Sequence, residues 1–524
     1  MQAESTGDAA LAVEAKPEGI CPGCGVEMEK RTGVVWGTLL PMAILPPLGF
    51  PTFIITGLVE KRAVCPSCGH SEQLYKIFRA APGLFPARGN RTEVTRRAAV
   101  CCMLLHIRRS EPMKRRNFLK SLAAASGAAM AGVPRAEAAL GKAKITRVRI
   151  YEPPNLNRLF NQSNMLITVE TDIGITGTGE GGSKDTLEQC AGTLIGKNPF
   201  KIEQIWQEMF MAWFYPPGRE KIHALGAMDL ALWDIKGKAL KAPVHELLGG
   251  TVRDYCDCYA TGGVRPASAA GAQVSLGDRA RATLEAGYRV FRMGAGDARE
   301  GAVFDTRERI RQIAQDSKAV REAVGRNGEW MIDFHQRFDY SDALRGCRLI
   351  EEYDPFLVED PVRDEHALED LPKLRRMTSV PLAHGEEWGH RWDFNKLVEN
   401  HDIDYLRATL PSVGGITEWM KISAMCETHS VGIVPHFTGP VATAALVNCL
   451  STFPGPVLFE YNYGDRPIDY LPEFLDFRKG KLYPNDRPGL GVALELKPLK
   501  LIGEVTEPGR RSIYVRPDGS LTHW

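Results

Sequence analysis

The sequence predicts an α/β protein: a (β/α)8-type, modified TIM barrel with an α+β capping domain, preceded by a small zinc-ribbon-like segment. Three observations carry this. Eight short apolar strands recur from residue 255 onward, and each of the first seven precedes a helix-like segment. Ahead of them lie alternating strands and then a long run at helical spacing. Two C-x-x-C pairs sit near the start of the chain.

Composition sets the bounds. The chain has 524 residues, 44% hydrophobic and 25% charged, with 65 basic and 64 acidic side chains and a net charge of +1. That excludes a mainly disordered chain, a collagen-like repeat and a polytopic membrane protein. Residues 1–116 are net basic and the remainder net acidic, which argues against phosphate-backbone binding as the work of the larger part. Six of the 12 cysteines are scattered from Cys190 to Cys449 without paired spacing, and read as buried, reduced thiols.

The predicted organisation begins with the zinc-ribbon-like segment, residues 1–80. Cys21-Pro-Gly-Cys24 and Cys65-Pro-Ser-Cys68 are each followed by glycine, so two tight turns could offer four thiolates to one structural Zn²⁺. Residues 33–59 carry no charge and are long enough to span a bilayer. Pro41, Pro46, Pro47 and Pro51 interrupt them, which favours a hydrophobic insert over a membrane helix. A basic linker follows at 81–112. Residues 113–138 then have the order of an export signal. Met113-Lys-Arg-Arg-Asn-Phe-Leu-Lys is a twin-arginine pattern, residues 121–134 are uncharged and alanine-rich, and Ala136-Glu-Ala138 supplies a cleavage site. Such a signal is read at an N-terminus. The expectation is therefore that Met113 is the true start, or that the preceding segment is a fusion or a gene-model error. Export to the periplasm follows if translation starts at Met113, and a cytoplasmic location otherwise.

The capping domain is expected over 139–254, completed by 480–524, with the barrel over 255–479. Residues 145–151 and 165–171 read as an antiparallel meander, and 185–248 as helices, with 222–240 the strongest. The barrel strands are placed at 255–260, 290–293, 330–333, 356–359, 381–386, 405–409, 432–436 and 457–460. Catalytic groups in such a barrel lie at the C-terminal strand ends. Asp333, Glu359 and Glu386 close the third, fourth and fifth strands. Three unpaired carboxylates at one point would repel, and a hard dication such as Mg²⁺ resolves that with oxygen ligands. His335 lies two residues beyond Asp333, on the same side if the strand stays extended. His436 ends the seventh strand and Glu460 the eighth, which makes all three catalytic candidates.

These residues carry a resemblance. Ala224-x-x-Ala-x-Asp229-x-Ala-Leu-Trp233-Asp-Ile-Lys-Gly237, Asp333-Phe-His335, Val358-Glu-Asp-Pro361, Gly385-Glu386, Gly414-Gly-Ile-Thr-Glu418 and Pro435-His-Phe-Thr-Gly-Pro440 occur in that order. The region from about 145 to 500 resembles the enolase superfamily in its mandelate racemase/muconate lactonizing branch, most of all galactonate dehydratase and related acid-sugar dehydratases. The resemblance implies Mg²⁺ held by Asp333, Glu359 and Glu386, with His436 as the base, His335 as the acid and Glu460 polarising the substrate carboxylate. It also implies a homo-oligomer, dimer or octamer, and a small sugar acid as the partner. Nucleic acid and stable membrane insertion are not expected.

Two features set this sequence apart from its branch. The second strand reads Phe291-Arg-Met-Gly294 and the sixth Leu406-Arg-Ala-Thr409, without the lysine bases common in racemases and cycloisomerases of the superfamily. Thr409 also stands where dehydratases with this motif carry an aspartate behind the base. His384 and Arg407 are expected to point inward by strand parity, with Thr409, as substrate-binding or orienting groups. The alternatives are a racemase or epimerase of a hydroxy acid on the same site, a non-catalytic sugar-acid binding protein, or a zinc-ribbon nucleic-acid module with the barrel as passenger.

Overall fold

The computed structural model describes residues 29–32, 60–64, 71–75, 140–154, 164–215, 217–266, 273–296, 303–464, 466–509 and 513–523. The chain divides into two compact units, Met1–Ser126 and Gly127–Trp524. In the first, β1 (Glu29–Thr32), β2 (Glu60–Val64) and β3 (Ser71–Tyr75) form an antiparallel sheet in that order. The four cysteines of the expected zinc ribbon, the uncharged insert, the basic linker and the twin-arginine segment all lie outside the described residues. Among the described residues no helix is long and apolar enough to cross a membrane.

The second unit opens with the expected meander. β4 (Ile145–Glu152), β5 (Leu166–Thr171) and β6 (Thr176–Glu180) pair antiparallel in sequence order. Helices α1 (Lys184–Leu194), α2 (Ile202–Met211), α3 (Arg219–Leu240) and α4 (Val244–Leu247) follow. Helix α3 is apolar on nearly every side because it is sandwiched between the meander and the barrel. Its approach to β6 is so close that a Cβ on Gly179 would lie 2.0 Å from the Ala227 carbonyl oxygen, so only glycine fits there. Buried Asp229 and Asp234 of the α3 motif serve as ties. Asp229 accepts from the Thr417 amide at 2.9 Å and Asp234 from the amides of Thr178 and Leu490, both at 2.9 Å.

The barrel closes as expected. Its eight strands are β7 (Cys256–Tyr259), β8 (Val290–Gly294), β9 (Glu329–Asp333), β10 (Val358–Glu359), β11 (Leu382–His384), β12 (Tyr405–Leu406), β13 (Gly432–Ile433) and β14 (Phe459–Glu460). The ladders from β8 to β13 are parallel, β14 pairs parallel with β7, and bridges Thr261–Arg292 and Ile433–Val457 complete the ring. Tyr259, Val290, Met331, Leu357, Ala383, Val434 and Leu458 fill the interior, with Tyr405 packed against them. Side chains from every strand therefore plug the cylinder, which is a packed core and not a pore.

Seven helices clothe the strands: α5 (Leu276–Glu285), α6 (Thr306–Val324), α7 (Tyr340–Ile350), α8 (Ala367–Arg375), α9 (Arg391–Glu399), α10 (Ile416–Thr428) and α11 (Pro440–Thr452). The C-terminal return differs from expectation. Strands β15 (Asp476–Arg478) and β16 (Lys481–Tyr483) form a hairpin paired with β7, so residues just past 480 still belong to the barrel. The chain rejoins the cap at β17 (Lys500–Val505), which pairs with β4. A last hairpin, β18 (Ile513–Val515) and β19 (Leu521–His523), ends it.

Candidate active site

Strand register assembles the site. Asp333 pairs with Glu359 across β9 and β10, and Glu359 with Ala383 across β10 and β11, so the first two carboxylates stand at one level. Glu386 follows β11 after Gly385, whose φ of +117° turns the chain inward. Glu460 ends β14. All four carboxylates are buried: Asp333 is 3% exposed, Glu359 0%, Glu386 9% and Glu460 4%.

Two arginines lie among them. Arg407 is 1% exposed. Its Nη2 lies 2.7 Å from both Glu359 Oε1 and Glu460 Oε2, and its Nε lies 3.2 Å from Glu386 Oε2. Nη1 donates to the Tyr259 hydroxyl at 2.7 Å and to the Pro435 carbonyl at 3.3 Å. Arg292 donates to Asp333 and lies 3.1 Å from Glu359 Oε1. Sequence reasoning placed Arg407 only as an orienting group and missed Arg292 altogether. The signal for both was present, since each is a charged residue inside an otherwise apolar barrel strand or at its end.

The electrostatics follow from this packing. Burial pushes the Asp333 carboxyl well above its ordinary range and Glu359 adds to it, against the pull of Arg292. Burial would also raise Glu386, but His436 and Arg407 outweigh it and hold that carboxyl at about 2. Glu460 is likewise driven well down, burial being overcome chiefly by Arg407. The Arg407 guanidinium stays charged because the neighbouring carboxylates, Glu359 foremost, reverse the cost of burial.

Among the described residues, Glu359, Asp360 and Glu386 form a carboxylate group in which each offers one oxygen within 4.8 Å of the others. Asp333 reaches this group through the Arg292 guanidinium that it shares with Glu359. Asp360 was quoted in the sequence motif but not chosen as a site residue; its backbone is left-handed, with a φ of +39°.

His335 occupies the site for a reason other than parity. Strand β9 stops at Asp333, and His335 and Gln336 take left-handed backbone angles, φ 53° and 58°. The His335 amide donates to Asp333 Oδ1 at 2.6 Å, which fixes the turn. The ring then brings Nε2 to 4.0 Å from Glu386 Oε1, while His436 Nε2 lies 3.7 Å from Glu386 Oε2. Two imidazoles therefore flank one carboxylate.

Behind His436, Thr409 Oγ1 donates to the Glu386 carbonyl at 3.2 Å and stands 3.1 Å from His436 Nδ1. With its proton committed to the carbonyl, the hydroxyl accepts from Nδ1–H. In the neutral ring the proton therefore sits on Nδ1, and Nε2 is the nitrogen left to act as acceptor. Glu460 accepts from the Thr261 hydroxyl and, at 2.8 Å, from the Phe437 amide. His384, expected to face inward, lies behind the site instead. It is fully buried, with Nδ1 3.0 Å from Asp360 and Nε2 3.0 Å from Asp364, and its ring packs edge-on to Trp388. Burial works against its charge, but the two carboxylates outweigh it and raise the imidazole to about 9. It is a counter-ion for Asp360, not a substrate contact.

Two cavities meet at Glu386, His436 and Phe437. One, of about 550 Å³, is lined by Arg292, Asp333, His335, Arg407 and Glu460. The other, of about 530 Å³, lies under α3 and is lined by Asn164, Arg219, His223, Glu387 and Thr409.

Comparison with known proteins agrees with this architecture. Residues 147–249 match the mandelate racemase/muconate lactonizing enzyme N-terminal domain, and residues 275–497 match the enolase C-terminal domain-like model. A D-galactonate dehydratase of Pectobacterium atrosepticum is 33% identical over 73% of this chain and its own whole length. One of Variovorax paradoxus is 36% identical over 69% of this chain and 96% of its own. Among solved structures, an enolase-superfamily member from Salmonella Typhimurium superposes with a TM-score of 0.63 at 25% identity, over 70% of this chain and all of its own. With both domain models matched and a relative covered end to end, the chain belongs to the mandelate racemase/muconate lactonizing enzyme family of the enolase superfamily.

Proposed function

We infer that the chain is a hydro-lyase, a Mg²⁺-dependent acid-sugar dehydratase that converts an aldonate or aldarate to a 2-keto-3-deoxy acid. The observation that carries this is the pair of imidazoles, His335 and His436, flanking Glu386 beside a buried carboxylate group. The relatives named D-galactonate dehydratase support the substrate class, and D-galactonate is the first acid to test.

The donor set fits a hard dication. It is all oxygen. Asp333, Glu359, Glu386 and Glu460 face Arg292 and Arg407, four carboxyl groups against two guanidiniums, so the acidic groups outnumber the cations facing them. Glu359 Oε2 is buried with no hydrogen-bond partner, an acceptor that a cation would satisfy. Asp333, Glu359 and Glu386 would hold the ion, with Asp360 adjoining. When bound, it would supply the charge stabilisation that makes a proton beside a carboxylate acidic enough to remove.

The remaining steps fall to the chain's own groups. His436 Nε2, the acceptor nitrogen of the neutral tautomer that the Thr409 contact selects, takes the C2 proton. His335 gives a proton to the C3 hydroxyl, which leaves as water while the C2–C3 double bond forms. The resulting enol takes a proton at C3 and becomes the 2-keto acid. Glu460, held by Arg407, Thr261 and the Phe437 amide, faces the same cavity and fixes the far side of the reacting carboxylate. A panel of aldonates and aldarates, incubated with Mg²⁺ and assayed for 2-keto-3-deoxy products, tests this reading. No product from any acid would refute it.

A further inference from the structure

We propose that Glu180, in the cap, is a positioning residue for His436: it grips the N-terminus of α11 and so holds the loop that carries the base. The proposal rests on the reading of His436 as the base of an acid-sugar dehydratase and gives the cap a part in placing it.

Helix α11 begins just after the His436 loop, with only Phe437, Thr438 and Gly439 between the base and Pro440. Its own sequence leaves the first turn bare. The N-cap is Gly439, Pro440 follows, and no acidic side chain lies in that turn. The free amides of a helix start need an acceptor, above all where they are buried. Ala442 is buried, and its amide donates to Glu180 Oε2 at 3.0 Å. The Val441 amide bonds to the same carboxyl group. These are the amides that an N-cap side chain would serve, and Glu180 serves them from the end of β6.

The fit is close. A Cβ on Gly439 would lie 2.0 Å from Glu180 Oε1, so the carboxyl group rests on bare backbone. Gly439 has an ordinary φ of −60°, so glycine is needed there for space and not for backbone freedom. The loop between is braced against the barrel. The His436 amide donates to the Ala408 carbonyl at 3.0 Å, and the Phe437 amide to Glu460 Oε2 at 2.8 Å. The Thr438 carbonyl accepts from the Tyr463 hydroxyl at 2.6 Å; burial, with Glu180 adding to it, keeps that hydroxyl protonated. Glu180 completes this bracing on the helix side. A shift of about 1 Å in a catalytic group costs about 100-fold in rate.

Steady-state kinetics with the best acid of the panel, at a temperature where the variants are folded, test this together with amide hydrogen exchange. The variants are Glu180→Ala, Glu180→Gln and Gly439→Ala. Glu180→Ala should lower kcat about 10–100-fold and leave KM and Mg²⁺ affinity within about 2-fold of wild type. Glu180→Gln keeps an acceptor oxygen and should recover most of the loss. Gly439→Ala displaces the carboxyl group from the other side and should reproduce the defect, which decides the matter if Glu180→Ala does not fold. In both damaged variants the His436 and Phe437 amides should exchange faster, in step with Val441 and Ala442. An unchanged kcat in the folded variants, or faster exchange confined to Val441 and Ala442, overturns the proposal. A wild type that turns over no acid sinks the dehydratase reading, while the exchange pattern still judges the hold of Glu180 on the loop.

Discussion

Arg407 and Glu460 form a buried ion pair, Nη2 to Oε2 at 2.7 Å, across the mouth of the barrel from β12 to β14. The same Nη2 atom lies 2.7 Å from Glu359 Oε1. One guanidinium therefore organises carboxylates from three strand ends, on the side of Glu359 opposite its unpartnered Oε2. The arginine neutralises part of the acidic cluster and leaves the outer oxygens to a cation.

Removing that guanidinium leaves buried carboxylates uncompensated. Arg407→Met should lose about 3–5 kcal/mol of stability in chelator, and Mg²⁺ should restore part of it. Urea unfolding of both proteins, with and without Mg²⁺, measures this. A variant whose midpoint responds to Mg²⁺ no more than the wild type does would show that Arg407 and the cation do not share these carboxylates.

Thr409 fixes the His436 tautomer by accepting from Nδ1–H while donating to the Glu386 carbonyl. Thr409→Val keeps the shape and removes both bonds. Its kcat should fall about 10–100-fold, while Thr409→Ser stays near wild type. Steady-state rates with the best acid of the panel decide it.

The two histidines have separable tasks. His436→Asn should abolish both α-proton exchange and water loss. His335→Asn should retain exchange at C2 and lose dehydration by about 10²–10⁴-fold. Proton NMR of the substrate in D₂O follows both at once, and loss of exchange in His335→Asn would contradict the assignment.

A buried carboxyl in the cap gives a pH signature. Burial pushes Glu180 up to about 7 from 4.5, although the Ala442 and Val441 amides pull the other way. A raised folded pKa stabilises below the unfolded value and loses that contribution as pH rises through the folded one. Between about pH 4.5 and 7 the wild type should lose up to about 3 kcal/mol relative to Glu180→Gln, whose amide does not titrate there. Denaturant midpoints of both proteins at pH 5 and pH 8 give the difference.

Much of this architecture was legible because strand ends carry both the fold and the chemistry. The recurrence of β9, β10 and β11 put Asp333, Glu359 and Glu386 on neighbouring strands; the ladder register sets Asp333 beside Glu359, while the oxygens that gather within 4.8 Å belong to Glu359, Asp360 and Glu386. The misreadings arose where the backbone leaves the strand. His335 reaches the cavity through a left-handed turn that alternation does not foresee, and Asp360 also leaves the strand conformation, to pair with His384. His384 obeys the ladder but finds Asp360 and Asp364 behind the barrel mouth. The role of Arg407 depends on a charge balance among four strands, which no single motif displays.

In the proposed reaction His436 takes the C2 proton of an acid sugar whose C3 hydroxyl then leaves as water. Turnover of D-galactonate in D₂O with Mg²⁺, followed by NMR, tests it most directly. A 2-keto-3-deoxy product carrying one solvent deuterium at C3 is expected. Recovered acid labelled at C2 with no water lost would instead mark an epimerase, and the absence of both label and product would contradict the proposed chemistry outright.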